Sequence, residues 1–157
     1  MEKLNVSAFE VYDTGWALLT SGSISDYNTM TISWGGLGTL WGRPVATVYV
    51  RHSRYTYEFL EKNDCFTISF FEGTCRDDLN VLGKLSGRDT DKVAKTSLTP
   101  IEVEGCVSFK EAKKTLVCRK LYADDLDPAL MPEDIRESAY LGQAPHKMYI
   151  GEVLEII

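Results

Sequence analysis

Short runs in which apolar, β-branched and aromatic side chains alternate with polar ones fill the first half of the chain. Alternation of this kind is typical of half-buried strands. It predicts strands over residues 15–22, 29–34, 45–50 and 65–71. Between the last two, Tyr55, Phe59 and Leu60 fall on one side of a helix, so we expect a short helix over residues 54–62.

The second half mixes helical and strand patterns without a regular strand–helix alternation. The predicted elements are helices over residues 74–85 and 89–95, a hairpin of 103–110 with 115–124, a loop with a helical turn over 128–140, and a last strand over 148–156. Six or seven strands with helices inserted between them favour a closed or nearly closed antiparallel barrel. A doubly wound parallel sheet would need the alternation that is missing here.

Composition and charge indicate how many domains the chain forms, which partners it has and where it is located. The chain has 157 residues, of which 44% are hydrophobic and 25% charged, so we expect one domain over residues 1–157. Its formal net charge of −6 argues against a nucleic-acid partner, which needs a surplus of Lys and Arg on one face. No apolar stretch reaches transmembrane length, and Met1 to Leu4 begin no signal segment, so we expect a cytoplasmic protein without a membrane partner.

The four cysteines are far apart and include no C-x-x-C pair. Zinc sites usually have close Cys and His spacing, so no metal site is expected. Cys65 and Cys118 stand in apolar runs, where a buried thiol behaves as a small hydrophobic side chain. Nothing in the spacing indicates a disulfide scaffold.

Arginines and hydroxyl side chains crowd the junction between the third predicted strand and the helix that follows it. Arg51 and Arg54 can grip phosphate oxygens with their guanidinium groups, and Ser53 and Thr56 can donate hydroxyl hydrogen bonds. A helix N-terminus also offers unpaired N–H groups. The segment therefore predicts a phosphate site. The simpler interpretation is that Ser53 caps the helix and that the arginines are solvated.

A polar strand followed at once by glycines occupies residues 26–38. Glycine allows a planar ligand to approach the backbone closely, and a flavin ring needs such a surface. The competing interpretation is a half-buried strand with a polar outer face and a flexible turn.

A third segment, residues 82–92, places Lys84, Arg88 and Lys92 beside small and hydroxyl residues at a helix junction. Such an arrangement can meet a phosphate, although it is also ordinary at helix boundaries.

Four motifs, in this order, resemble the signatures of flavin-reductase-like proteins. They are N-x-M-T-x-S-W at residues 28–34, R-x-S-R-Y-T at 51–56, S-G-x-D-x-D-K at 86–92 and H-x-x-x-x-G-E-V at 146–153. The resemblance covers roughly residues 10–157. It implies a mainly β fold with helical insertions, namely an FMN-binding split β-barrel of the antiparallel Greek-key type that works as a homodimer.

The resemblance also implies roles for individual residues. The residues expected at the flavin ring are Asn28, Met30, Thr31, Ile32, Ser33 and Trp34. The residues expected at the phosphate are Arg51, Ser53, Arg54 and Thr56, with Lys92 as an additional contact, and Tyr55 and Ser86 of the same motifs complete the cofactor-binding set. His146, as the candidate catalytic residue, would lie close to the flavin, from this chain or from a partner subunit.

One departure from the family pattern bears on function. Two-component flavin reductases often continue the first motif into a serine-rich S-x-S-x-x-P-P loop, whereas residues 35–44 here are rich in glycine and tryptophan. This version looks closer to the flavoredoxin branch. We also expect residues 35–41 to form an exposed loop that a second subunit covers.

Two functions, and a third with less support, follow from the resemblance. The first is an NAD(P)H-dependent flavin or electron-acceptor oxidoreductase, with hydride transfer to flavin N5 and His146 donating a proton or orienting the nicotinamide. No G-x-G-x-x-G turn is present, so NAD(P)H would stack on the flavin in an open cleft. The alternative is a non-catalytic FMN electron carrier that docks to redox proteins through its negative surface. An oxidase acting on a phosphorylated vitamin such as pyridoxine shares the barrel but lacks motif support.

Overall fold

A curved antiparallel sheet dominates the computed structural model, which describes residues 3–157. Met1 and Glu2, which belong to the segment on which the cytoplasmic expectation rests, lie outside the described residues. The strands are β1 (Ala17–Ser23), β2 (Asp26–Ile32), β3 (Gly35–Leu40), β4 (Arg43–Arg51), β5 (Cys65–Phe70), β6 (Pro100–Val103), β7 (Cys106–Phe109), β8 (Lys114–Asp125) and β9 (His146–Ile156). The helices are α1 (Glu10–Asp13), α2 (Tyr55–Lys62), α3 (Arg76–Lys84) and α4 (Glu133–Tyr140), with 3₁₀ turns at Val93–Lys95 and Pro128–Leu130.

The main sheet has seven strands in the order β2-β1-β5-β8-β9-β4-β3. All of its neighbouring pairs are antiparallel. Strands β2 and β3 follow each other in the chain but form the two opposite edges, and within residues 3–157 no backbone ladder joins them. The prediction of a mainly β antiparallel fold with helical insertions is confirmed.

One apolar cluster holds the sheet in its curved form, because residues from opposite halves of the sheet meet in it. Leu19 and Ile68 of one half pack in the same cluster as Val48 and Tyr149 of the other. Strand β9 crosses this core closely at Gly151, where an added Cβ would lie 2.5 Å from the Phe66 ring. Curvature of this kind brings the edge strands β2 and β3 to the same side of the molecule.

Helix α3 and the β6–β7 ribbon cover the outer face of the sheet around a second cluster. Leu79 and Leu82 of α3 pack there with Leu18, Phe71 and Phe109. The spacing of apolar positions on α3 thus buries one face of the helix against β1 and places its C-terminal end beside β2. This packing positions the segment that follows α3 near the site described below.

Three predicted elements differ in the structure. Residues 35–41 are not a loop, because Gly35–Leu40 forms edge strand β3 against β4. Residues 89–95 contain only the 3₁₀ turn Val93–Lys95. The predicted hairpin of residues 103–110 with 115–124 is wrong, since β7 pairs with β6 through the turn at Glu104 and Gly105, both with positive φ.

Within residues 3–157 no helix has both the length and the apolar character needed to cross a membrane. The same residues contain no group of three or more His, Cys, Asp or Glu side chains placed to hold a metal ion.

Candidate functional site

The site begins where edge strand β2 meets the N-terminus of α2. Asn28 of β2 and Thr56 in the first turn of α2 are both buried, and the Asn28 amide donates a 2.7 Å hydrogen bond to the Thr56 hydroxyl. Burial of two polar side chains is favourable only when they satisfy each other, so this bond fixes the helix start against the strand. The expected strand and the expected helix N-terminus therefore meet in space.

A small cavity of about 80 Å³ lies at this junction, and we call it the anion cavity. Three cations border it, namely Arg54, Lys84 and Lys92. Its lining residues are Asn28, Met30, Ser53, Arg54, Tyr55, Thr56, Lys84, Leu85, Ser86, Gly87 and Lys92. Convergence of cations, hydroxyl groups and a helix N-terminus on so small a volume is the chemistry of a phosphate site.

Lys92 is the buried cation of this cavity, with only 4% of its surface exposed. Its Nζ donates hydrogen bonds of 2.8 Å to the Leu82 carbonyl and 3.2 Å to the Leu85 carbonyl, at the C-terminal end of α3. Burial first, and then the nearby Arg54 guanidinium, lower the pKa of Lys92 to about 8. An ammonium group has three donors, so one N–H remains for a ligand in the cavity.

The two arginines near the cavity, Arg54 and Arg88, differ in how strongly other groups hold them. Arg54 is the N-cap residue of α2, is exposed, and donates one hydrogen bond of 3.1 Å to the Gly83 carbonyl. Arg88 is held away by bonds to Glu58 and to the Ser53 carbonyl. Because α2 has no side-chain cap, the simpler interpretation of Ser53 as a helix cap is wrong.

Gly87 sits where the wall of the cavity touches β2. An added Cβ would lie 2.1 Å from Oδ1 of Asn28, which no real contact allows, so a side chain here would displace Asn28. The expected helix stop at Ser86 and Gly87 lies just beyond the end of α3, which is at Lys84. Gly87 instead allows the segment after the helix to approach strand β2 closely.

A second pocket, of about 200 Å³, adjoins the anion cavity, and we call it the slot. Met30 and Arg54 line both of them. The slot is lined by Met30, Thr31, Ile32, Ser33, Trp34, Tyr49, Arg51, Arg54 and His146. Since β2 is an edge strand, alternate backbone N–H and C=O groups face away from β1 and offer hydrogen bonds to a planar ligand.

Arg51 lies in the slot and not in the anion cavity. Its guanidinium donates hydrogen bonds of 3.0 Å to the Ala139 carbonyl and 2.9 Å to the Ala144 carbonyl, and it contacts the Tyr140 ring. These bonds hold the end of α4 beside the slot. Arg51 therefore supports the slot wall in this structure, and its expected contact with phosphate stays a prediction.

His146 reaches the slot from the same chain, because the β4–β9 register places it directly opposite Arg51. It is buried, shares a 2.9 Å hydrogen bond between Nδ1 and the Tyr140 hydroxyl, and packs against the Trp34 ring at 5.0 Å. Burial first, then Arg51 and Arg54, lower the pKa of His146 to about 4. The imidazole is therefore neutral at pH 7 and serves as a hydrogen-bonding group.

An open, mainly aromatic cleft of about 350 Å³ continues from the slot. Ser33, Trp34 and Tyr49 line both spaces. Tyr12 and Tyr140 extend the cleft, and Trp34 is 48% exposed at the boundary. The slot is thus open to a second planar molecule on this side.

Three residues of the site are missing from the expected cofactor-binding set, namely Tyr49, Lys84 and Gly87. Lys84 stood in the cation-rich segment 82–92 and was visible there. Tyr49 lies two residues before Arg51 in a predicted strand, so strand alternation places both side chains on one face. The contact of Gly87 with Asn28 joins residues 59 positions apart, and no local pattern could have indicated it.

Comparison with known proteins gives one family and one fold. The sequence profile described as "Flavin reductase like domain" matches residues 9–157. No curated protein sequence is similar enough to the chain to count as a relative. Among solved structures, a flavoredoxin from Desulfovibrio vulgaris (Miyazaki F) is 21% identical with a TM-score of 0.71, the match covering 100% of this chain and 76% of that one.

Two further structures share the fold. An FMN-binding protein from Thermus thermophilus, with bound p-hydroxybenzaldehyde, is 18% identical with a TM-score of 0.71, over 100% of this chain and 81% of that one. The NADH:FAD oxidoreductase SgcE6 from Streptomyces globisporus C-1027 is 16% identical with a TM-score of 0.71, over 91% of this chain and 74% of that one.

The depressed pKa of His146 makes stability depend on pH with a defined sign. Between about pH 6.5 and pH 4 the unfolded chain binds a proton at this position that the folded chain does not bind. The free energy of unfolding should therefore fall as the pH falls through this window, by on the order of 2–3 kcal/mol.

The measurement is urea unfolding of wild type and His146→Gln at several pH values, with histidine NMR titration beside it. The variant should lose this part of the pH dependence, and the His146 ring signal should titrate near pH 4. His52, the other histidine of the chain, provides a second signal in both proteins. A His146 signal that titrates near pH 6.5 would refute the assignment.

Proposed function

This chain belongs to the family of flavin reductase like domains, and from that premise we propose that it is an FMN-binding oxidoreductase. The observation that carries the proposal is that the anion cavity and the slot are neighbours, with Met30 and Arg54 lining both. FMN has the same two parts, a planar ring and a single phosphate. One compact, cation-lined pocket of about 80 Å³ suits one phosphate group.

The donor set fits FMN on chemical grounds. Arg54, Lys84 and Lys92 would hold the phosphate, together with the hydroxyl groups of Ser53 and Ser86. Residues 30–34, with the free edge of β2, would hold the ring. When bound, the isoalloxazine supplies the electron chemistry, accepting a hydride at N5 and passing electrons to an acceptor.

The residues around the slot favour negative charge there. Arg51 and Arg54 border it with permanently positive guanidinium groups, and the same two charges depress the pKa of His146. His146 therefore stays neutral, and its ring can accept or donate a hydrogen bond without adding a third positive charge. We infer that His146 orients bound molecules and does not act as a general acid, because a group with a pKa of about 4 is almost never in the imidazolium form at pH 7.

NADH or NADPH is the proposed electron donor. The aromatic cleft beside the slot, with Trp34 and Tyr49 at the junction, offers a stacking surface for a nicotinamide. The shared fold with an NADH:FAD oxidoreductase supports this choice. The binding energy of the dinucleotide would come from the open cleft, since the sequence contains no G-x-G-x-x-G turn.

A second candidate function is an FMN electron carrier that receives its electrons from a protein. The observation that favours it is a set of exposed carboxylates on α4, at the end of β8 and just after β8, close in sequence to Leu126 and Tyr140 of the aromatic cleft. They are Asp124, Asp127, Glu133, Asp134 and Glu137. An acidic rim suits docking to a basic redox protein, and a flavoredoxin shares the fold.

We also propose that the split barrel works as a homodimer. Edge strand β3 has one free side, Trp41 at its end is 64% exposed, and Trp34 at its start is 48% exposed. Exposed tryptophans beside an unpaired edge are typical of a surface that a partner covers. Light scattering of the purified protein should give twice the 17.6 kDa chain mass. A flavin-loaded monomer would contradict this proposal.

The two arginines provide a matched test of the FMN site. Arg54→Ala should weaken FMN binding by about tenfold to thirtyfold and leave riboflavin binding nearly unchanged, because riboflavin lacks the phosphate that a charge-assisted hydrogen bond would hold. Arg51→Ala should weaken both ligands by a similar factor, since Arg51 supports the slot wall.

The measurement is quenching of flavin fluorescence when each ligand is titrated into apo-protein. If Arg54→Ala lowers both affinities equally, the variant has disturbed the ring site and the assigned phosphate contact is wrong. If neither affinity falls, Arg54 is only a solvated surface charge.

Rapid mixing with NADH or NADPH separates the enzyme from the carrier. A reductase should lose flavin absorbance within about a second under anaerobic conditions, whereas a carrier should stay oxidised until a protein donor is added. Trp34→Ala should raise the nicotinamide concentration needed for half-maximal rate. Trp41→Ala, which changes an exposed tryptophan outside both pockets, is the control and should not change it.

A further inference from the structure

The β6–β7 ribbon lies across strand β5 and is bonded to it at three successive side chains of one face. The Thr67 hydroxyl donates a 2.5 Å hydrogen bond to the Val107 carbonyl, and the hydroxyl groups of Ser69 and Ser108 lie 3.1 Å apart. At the third position, two residues before Thr67, the sulfur atoms of Cys65 and Cys106 meet at 2.6 Å. Because alternate side chains of β5 point to the same face, Cys65 faces the ribbon together with Thr67 and Ser69, and its sulfur meets that of Cys106.

The two thiols have unequal surroundings. Cys106 is 2% exposed and its S–H donates to the Cys65 sulfur, while Cys65 is partly exposed at the start of β5. The remaining two thiols are placed differently. Cys118 is fully buried in the main core, and Cys75 precedes α3.

We propose that Cys65 and Cys106 form a modification site, a dithiol that a peroxide oxidises reversibly to an intramolecular disulfide. Both sulfur atoms already lie in contact on two packed strands, so bond formation needs only a small adjustment. The expectation that Cys65 is a buried hydrophobic thiol is wrong, because Cys65 is partly exposed and contacts the Cys106 sulfur.

The chemistry balances with hydrogen peroxide as the oxidant. The Cys65 thiol gives up its proton and its sulfur attacks one peroxide oxygen. The O–O bond breaks, the other oxygen leaves as hydroxide and takes up that proton to become water, and Cys65 is left as a sulfenic acid. The Cys106 sulfur then attacks the Cys65 sulfur, the S–S bond forms as the S–O bond breaks, and the leaving hydroxyl takes the Cys106 proton and departs as a second water. Two thiols lose two electrons and two protons in total, and one peroxide becomes two waters. An external dithiol reverses the reaction by thiol–disulfide exchange.

The order of attack follows from the surroundings of Cys106. Burial first, and then the hydrogen bond to Cys65 and the nearby Glu104 carboxylate, raise the pKa of Cys106 to about 12. Cys106 is therefore a poor nucleophile toward peroxide, and it serves as the resolving thiol that loses its proton only as it attacks the neighbouring sulfenic acid. Cys65, the more exposed of the two thiols, meets the peroxide first.

The disulfide would close a loop that carries one wall of the candidate site. Cys65 and Cys106 are 41 positions apart, and α3, Lys84, Ser86 and Lys92 all lie between them. Closing this loop restricts the unfolded chain and ties the ribbon to the sheet. This inference concerns the thiols alone and does not rest on FMN binding.

The experiment uses the full chain as purified, reduced with dithiothreitol, desalted and treated with hydrogen peroxide. Free thiols, counted with N-ethylmaleimide under denaturing conditions, should fall from four to two per chain. Peptide mass spectrometry should find Cys65 linked to Cys106, with the loss of two hydrogens. The thermal unfolding midpoint should rise by about 5 °C or more and return on reduction.

Two variants keep the test specific. Cys75→Ser, the matched control, should cross-link like wild type and retain only one free thiol afterwards. Cys106→Ser should stop at the Cys65 sulfenic acid, which dimedone traps. Four free thiols after peroxide, a link that involves Cys75 or Cys118, or an unchanged midpoint in the oxidised chain would each overturn the proposal.

Discussion

The hydrogen bond from Asn28 to Thr56 is the constraint on which the site depends. It joins an edge strand to the first turn of a helix at a point where both side chains are buried, so an unmade bond would cost about 1–3 kcal/mol. With this bond made, the free edge of β2 and the N-terminus of α2 share one corner of the molecule. The slot lies on one side of that corner and the anion cavity on the other. Gly87 completes the corner because only a residue without a Cβ can lie against Asn28.

Much of the fold could be predicted from the sequence, because strands with alternating side chains and helices with one apolar face leave local signals. Predictions failed where tertiary contacts decide the outcome. The glycines of β3 carry no strand propensity, yet pairing with β4 holds Gly35–Leu40 extended. The predicted hairpin of residues 103–110 with 115–124 failed for a similar reason. Only residues 106–109 of the predicted strand 103–110 form strand β7, because a tight turn at Glu104 and Gly105 pairs them with β6.

The sequence predicts which residues gather at the candidate site, but it does not predict the separate role of each residue. Every residue of the expected cofactor set lines the slot or the anion cavity. The sequence shows Arg51 and Arg54 as equivalent cations three positions apart. Only the folded chain separates them, since Ala139 and Ala144, far along the sequence, supply carbonyl groups that engage Arg51. Spacing reveals which residue types gather, whereas long-range hydrogen bonds determine which of them stay available to a ligand.

If an anion fills the cavity as proposed, the buried Lys92 couples its binding to proton uptake. With a pKa of about 8, its amine is neutral in a substantial share of molecules in mildly alkaline solution. An anion that enters the cavity stabilises the ammonium form, so the bound state has a higher pKa and takes a proton from the solvent. Affinity for anions should consequently decline as the pH rises through this range, although the charge of the anion itself stays constant. Binding of an anion in the cavity would therefore take up a proton from the solvent, and its release would return that proton.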